Sequence, residues 1–383
     1  MAKLKTDWIL FLTILVMVGF GLVMAYSASS AVALVRYAKL NYPPYHFIVR
    51  QLGWAAVSLV VLMYLKRADY RRLNTPTWAF SGLGVVLALL VIVWFADSRA
   101  HRWFNISGLT FQPSEFAKPA IIVFLAYFLS RRSQIINDRY TLRQAFVAVA
   151  LLAVLVVVGD LGTAMVPVIT ALVVFWVAGL EKKYMVRVML VGVALFAVAV
   201  LSKPVRMMRV ITYVDPEFSL IDKIDTQGWI RSYVKGATNP RQKGNYQAQQ
   251  STIAVGSGGV LGAGLMQGAQ KEGFLPDIQT DFIYANIAEE LGLWGATAVL
   301  VGFILILWRG VRLFLVARED FGKYLALGVT VAIVVQAFLN MSVVLNMAPT
   351  KGFPLPLFSI GGSSLLSTLT CLGMLLSVSE HEG

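Results

Sequence analysis

Residues Leu275-Pro276-Asp277-Ile278-Gln279-Thr280-Asp281-Phe282-Ile283-Tyr284 set a carboxylate, Asp281, where a long polar stretch meets a strongly apolar one. An acid at such a boundary loses hydration, so it pairs, binds a cation or handles protons. Capping the helix that follows is the plainer role. Two more acids, Glu289 and Glu290, follow inside the apolar segment.

Four other clusters carry chemistry-bearing side chains. The first joins Arg102-Trp103 to Gln112-Pro113-Ser114-Glu115-Phe116-Ala117-Lys118. Glu115 and Lys118 stand i,i+3 on one helix face. They form either an internal ion pair that makes one buried charge tolerable or a site in which Lys118 binds anionic groups. Arg102 beside Trp103 suits a phosphate or sugar at an interface, while Trp103 alone would suit an aromatic belt.

The second cluster, Gly159-Asp160-Leu161-Gly162-Thr163, reads as a tight turn whose Asp160 caps the next helix or touches substrate. In the third, Gln250-Ser251 runs into the glycine-rich residues 256–264 and then Gln270-Lys271. Glycines let backbone amides approach an anion, or let helices pack closely. The segment lacks the Gly-Lys-Ser/Thr of a phosphate loop and the preceding strand of a dinucleotide turn. The fourth, Pro354-Leu355-Pro356-Leu357-Phe358-Ser359-Ile360-Gly361-Gly362-Ser363-Ser364, opens an apolar segment with a broken, polar helix start. Together the clusters supply one candidate base, several cations and free amides, which suits a lipid-linked anionic substrate such as a polyprenyl diphosphate sugar.

The elements that must position these residues are membrane helices. The chain is 58% hydrophobic and 14% charged, with a mean hydropathy of +0.71, too apolar for a soluble domain. Apolar runs of about 20 residues recur without the alternation of a membrane barrel. About ten transmembrane spans are expected, near residues 8–26, 47–65, 78–96, 113–129, 142–158, 162–180, 186–201, 282–306, 324–345 and 355–378. This is an all-α integral membrane protein, residues 1–383 forming a single polytopic domain. A large extracytoplasmic loop, about residues 202–280, separates spans seven and eight.

The net charge of +13 does not read as nucleic-acid binding, because Lys and Arg gather in alternate short loops. That pattern places the N- and C-termini in the cytoplasm and the candidate site on the outer face of the membrane. Cys371 is the only cysteine, and the three histidines, His46, His101 and His381, are scattered. Disulfides, cysteine metal sites and an HExxH site are thereby excluded.

The sequence resembles the FtsW/RodA (SEDS) family of bacterial cell-wall polymerases. The resemblance rests on Tyr26-Ser27-Ala28-Ser29, Arg50-Gln51-Leu52, Asp69-Tyr70-Arg71, Arg102-Trp103, Gln112-Pro113-Ser114-Glu115 with Lys118, and Asp160-Leu161-Gly162-Thr163. It continues through Gln250-Ser251, the glycine-rich segment, Thr280-Asp281-Phe282-Ile283, Ala288-Glu289-Glu290-Leu291-Gly292 and Gly361-Gly362-Ser363-Ser364. Short motifs lean slightly toward the division-type member.

The resemblance implies ten spans, polymerisation of the membrane-borne precursor lipid II into peptidoglycan, and a class B penicillin-binding protein as partner. It marks Asp281 as catalytic. It ties Arg102, Trp103, Glu115, Lys118 and the glycine-rich segment to activity, and the clusters add Asp160, Gln250, Ser251, Lys271, Ser363 and Ser364 as candidate substrate-binding residues. Asp277-Ile278-Gln279, Val158-Gly159 and Ile360 depart from the family pattern, and residues 221–242 look like an insertion.

In the expected reaction Asp281 is the general base, while Lys118, Arg102 and Lys271 steady the leaving diphosphate. A bound Mg²⁺ or Mn²⁺ would serve the same end, with Glu272 or Glu115 near it, although the sequence displays no metal ligand set. No organic cofactor is expected. The rival reading is a flippase for the lipid-linked precursor, which requires charges along a through-path.

Overall fold

In a lipid bilayer every backbone amide must be satisfied within the chain, and this chain does so with helices. The computed structural model describes residues 6–36, 43–97, 101–106, 109–215, 225 and 240–382. In chain order the helices are α1 (Trp8–Arg36), α2 (His46–Arg67), α3 (Pro76–Ala96), α4 (Ala117–Ser130), α5 (Arg139–Gly159) and α6 (Leu161–Val177). They continue with α7 (Lys182–Leu201), α8 (Pro204–Val214), α9 (Pro240–Gly258), α10 (Ile283–Val316), α11 (Asp320–Val344) and α12 (Gly362–Glu382).

Eight of these helices are long and apolar enough to cross a bilayer. With the shorter apolar helices α4 and α6, they match the ten expected spans one for one. The chain is a multi-pass, all-α membrane bundle. Its one β element among the described residues is a small hairpin, β1 (Phe104–Ile106) against β2 (Leu109–Phe111), with Phe104 opposite Phe111. The hairpin was not foreseen.

Helices α11 and α12 are buried on most of their surface and form the centre. Helix α12 packs chiefly against α2, and α11 against α4, α6 and α10. Helix α7 has no buried residue and sits at the edge.

Two expected spans begin later than hydropathy suggests. Residues Pro113–Phe116 form a 3₁₀ turn before α4, and residues 355–361 are irregular before α12. Pro354 and Pro356 lack the amide a helix needs, and Leu357 takes a positive φ of 70°. Both irregular starts lie beside the same cavity. Of the long loop, α8 and α9 are described, and α9 packs on α10 and α8. The expected insertion at 221–242 falls almost wholly outside the described residues.

Candidate active site

Asp281 lines a cavity of about 520 Å³. Its walls come from the start of α2 (Arg50, Gln51, Trp54), the hairpin region (Arg102, Trp103, Thr110) and the start of α6 (Asp160, Thr163). Arg209 of α8, Lys351 and Gly352, and residues 360–364 complete it. The cavity therefore opens at one end of the bundle, where α2, α6, α10 and α12 begin.

Asp277 adopts a positive φ of 57°, and its carbonyl accepts the amides of Thr280 and Asp281 at 3.1 and 3.0 Å. That turn delivers Asp281 just ahead of α10. Asn340 of α11 then clamps the loop, its Nδ2 donating to the carbonyls of Asp281 at 2.7 Å and Phe353 at 2.6 Å. The Ser359 hydroxyl donates to the Thr280 carbonyl, and the Ile360 amide to the Gln279 carbonyl at 3.0 Å. The irregular run before α12 is thus spent on holding the acid in place.

Charge is arranged asymmetrically around this acid. Asp160, at the α5–α6 corner, accepts from the Gly162 amide at 2.9 Å as an N-cap. It also pairs with Lys351 Nζ at 2.6 Å and with Arg102. Burial works against the Asp160 anion, but Lys351 and Arg102 outweigh it and hold the carboxyl below its usual range. Asp281 behaves oppositely. Burial, then the neighbouring Asp277 and Asp160 charges, push its carboxyl up to about 7 despite Arg102 and Lys351. Burial also lowers the Lys351 ammonium. Two carboxylates in one cavity are therefore driven apart, one a fixed anion and the other poised to exchange a proton near neutrality.

Arg102 keeps one donor to spare, since its buried Nε has no hydrogen-bond partner. Asp97 at the end of α3 accepts the amides of Arg102 and Trp103 at 3.1 and 3.3 Å, fixing the turn that presents both side chains. With Arg50, Arg209 and Lys351, Arg102 makes the rim cationic. A diphosphate needs such a set of donors.

Not every residue expected at the site meets there. Asp281, Arg102, Trp103, Glu115, Asp160, Ser363 and Ser364 line the cavity. Lys118 lies beneath it, donating to Glu115 Oε2 and Gln336 Oε1, both at 2.7 Å. Gln336 in turn donates to the Pro354 carbonyl at 2.8 Å, so Lys118 supports the loop rather than facing the cavity. Ser363 Oγ accepts the Gln112 amide at 2.9 Å.

Gln250 and Ser251 sit on α9, away from the cavity, and Ser251 Oγ donates to the Val344 carbonyl at 2.7 Å. Lys271 is buried against Glu290 Oε1 at 2.6 Å and Ser27 Oγ at 3.0 Å. Of the acids named for a metal, Glu115 is paired with Lys118 and Glu272 lies outside the cavity.

The glycine-rich segment is packed against protein. Ala263 and Gly264 donate their amides to the Glu289 and Glu290 carbonyls, both at 2.9 Å. Gly292, at a positive φ of 63°, breaks α10 opposite Gly262 and Val260. The Glu289 carboxylate accepts the Ala269 amide at 2.8 Å, and Glu290 takes Lys271, Ser27 and the Met266 amide. The inward acids that a transport path would need are satisfied by these groups.

Sequence reasoning missed Arg209, Asp277 as a site residue, and above all Lys351. Lys351-Gly352 stands just ahead of the Pro354–Ser364 cluster, and a lysine next to a glycine at such a loop was the available signal.

The family model described as "Cell cycle protein", FTSW_RODA_SPOVE, matches residues 7–383. A "Probable peptidoglycan glycosyltransferase FtsW" from Geobacter sulfurreducens (strain DL-1 / KN400) is 33% identical, over 98% of this chain and 96% of that protein. "Stage V sporulation protein E" from Bacillus subtilis (strain 168) is 34% identical, over 99% and 98%. Among solved structures, the Rod shape determining protein RodA of Thermus thermophilus superposes with a TM-score of 0.68 at 25% identity, covering 99% of this chain and 98% of that one. A chain from a structure described as "Structural coordination of polymerization and crosslinking by a peptidoglycan synthase complex" gives 0.68 at 25% identity, covering 98% of each.

Proposed function

This chain belongs to the FtsW/RodA/SpoVE family of cell-cycle proteins, and from that premise we propose that it is a peptidoglycan glycosyltransferase polymerising lipid II into glycan strands, for cell division or elongation. The observation that carries the reading is one cavity that holds both Asp281 and an Asp160 carboxylate locked between Lys351 and Arg102.

The acceptor sugar's 4-hydroxyl attacks the anomeric carbon of the donor, forming the new glycosidic bond as the bond to the lipid diphosphate breaks. Asp281 takes the hydroxyl proton. The diphosphate leaves with the bonding electrons, and the anomeric centre is inverted. No general acid is required, because diphosphate is a stable anion. Arg102, Lys351 and Arg209 are positioned to stabilise the charge that develops there. Trp103 and Trp54 offer flat faces to the sugars.

Among the described residues no group of three His, Cys, Asp or Glu converges on a metal site. Mg²⁺ needs only one or two carboxylates plus substrate phosphates. A Mg²⁺ or Mn²⁺ bound with the diphosphate would neutralise its charge. No organic cofactor is called for by this chemistry.

The cavity faces outward in a bacterial cytoplasmic membrane, with both termini cytoplasmic, as the alternating Lys and Arg loops support. The partner is a class B penicillin-binding protein, which crosslinks the strands made here. Purified protein given labelled lipid II, with and without that partner, should yield glycan ladders on a gel. Asp281→Ala should yield none while still inserting and binding its partner. Wild-type ladders from Asp281→Ala would overturn the reading.

A further inference from the structure

At the end of the bundle opposite the active site, α3 begins, α4 ends and α5 begins around a second cavity of about 440 Å³. Phe80, Leu83, Phe124, Phe128, Val147 and Ala148 make it an apolar groove. Phe80 and Val147 are more than half exposed, so one side of the groove opens to the surrounding lipid. Its mouth carries Arg132, Arg143 and Gln144.

The Arg132 guanidinium sits over the Phe128 ring, 4.5 Å from its centroid, and is thereby fixed at the lip. Neither Arg132 nor Arg143 has an ion pair among the described residues. The nearest acid in sequence, Asp138, caps α5, its Oδ2 accepting the amides of Tyr140 and Thr141 at 3.0 and 3.2 Å, and makes no ion pair with either arginine. The α4–α5 corner also carries Arg131 and Arg139, both exposed. A lipid-facing groove ending in unpaired arginines has two needs, a hydrocarbon chain inside and an anion at the lip.

The geometry points to a binding site for an anionic phospholipid of the leaflet opposite the active site, its acyl chain in the α3–α4–α5 groove and its phosphate between Arg132 and Arg143. An anion is favoured because Arg132 and Arg143 lie together at the lip of the groove, and basic pockets between membrane helices collect acidic head groups. The chain supplies the apolar energy and the arginines select the head group. This site shares no residue with the glycosyl-transfer cavity, so its failure leaves the proposed function untouched.

The test is native mass spectrometry of the full-length, detergent-purified protein titrated with dioleoylphosphatidylglycerol or dioleoylphosphatidylcholine. The wild type should prefer the glycerol lipid, and Arg132→Gln/Arg143→Gln should weaken its binding by about 30-fold. Gln144 is exposed, so substitution there does not threaten folding. Gln144→Glu should weaken binding and Gln144→Lys should tighten it.

Equal affinity for the two lipids, or wild-type affinity in both the double variant and Gln144→Glu, overturns the inference. So does full displacement by equimolar water-soluble glycerol phosphate, since the groove would then contribute nothing. A Val147→Cys variant that crosslinks to a second copy in membranes also overturns it, because a helix rather than a lipid would fill the groove.

Discussion

Gly352 faces the Asp281 carboxylate so closely that a Cβ at position 352 would collide with Asp281 Oδ2. The glycine creates the room in which the acid sits, from a loop 71 residues further along the chain. Gly352→Ala should therefore displace the carboxylate and cut polymerisation by about 100-fold, the scale for a misplacement of about 1 Å at a reacting centre. Lipid II turnover by the purified variant, alongside its melting temperature, measures this. Activity within a factor of two of wild type would show that Asp281 is not held where it acts.

The pH profile should carry the mark of Asp281. A general base works unprotonated, and burial with Asp277 and Asp160 raises this carboxyl to about 7. Turnover at low substrate should thus climb as pH rises through about 7 and then level off. Lys351 pulls in the other direction, favouring the anion. Lys351→Met should shift the rising limb to higher pH as well as lowering the plateau. A limb that stays put or moves to lower pH in Lys351→Met contradicts the assignment.

How much of this was legible in the sequence differs from element to element. The spans were, because a bilayer demands runs like 76–96 whatever their neighbours, and the broken start of α12 was announced by Pro354 and Pro356. Asp281 and Asp160 were legible as acids at helix boundaries, where few roles exist. Lys351 was not, because its meaning comes from Asp160, 191 positions away, and nothing local records that approach. For Lys118 and the glycine-rich segment the residues permitted both a packing and a binding role. Only tertiary partners distinguish the two, and Gln336 lies 218 positions from Lys118.

The Lys118–Glu115 pair should act through stability. Both side chains are buried, with the ammonium also on Gln336. Lys118→Ala leaves a buried carboxylate unpaired, a loss of about 3–5 kcal/mol when one partner of such a pair goes. Glu115→Gln combined with Lys118→Met removes both charges and should recover most of it. Thermal unfolding in detergent checks this. If Lys118→Ala melts like wild type but needs far more lipid II to saturate, Lys118 instead belongs to the substrate site.

The glycines of residues 256–264 offer a discrimination within one segment. A Cβ at Gly262 would run into the backbone of Glu290 and Gly292, and Gly262 itself has a φ of +83°. Gly256 has open space around its missing Cβ and lies within α9. If the segment exists to let the chain approach the α10 break, Gly262→Ala should unfold or fail to accumulate. Gly256→Ala should then be neutral or more stable by up to about 1 kcal/mol, the helix preference of alanine. If the amides instead bound an anion, Gly262→Ala would fold normally and lose only substrate affinity. Expression level and melting temperature of the two variants separate the cases, and the hydrogen bonds from Ala263 and Gly264 to the Glu289 and Glu290 carbonyls favour the first.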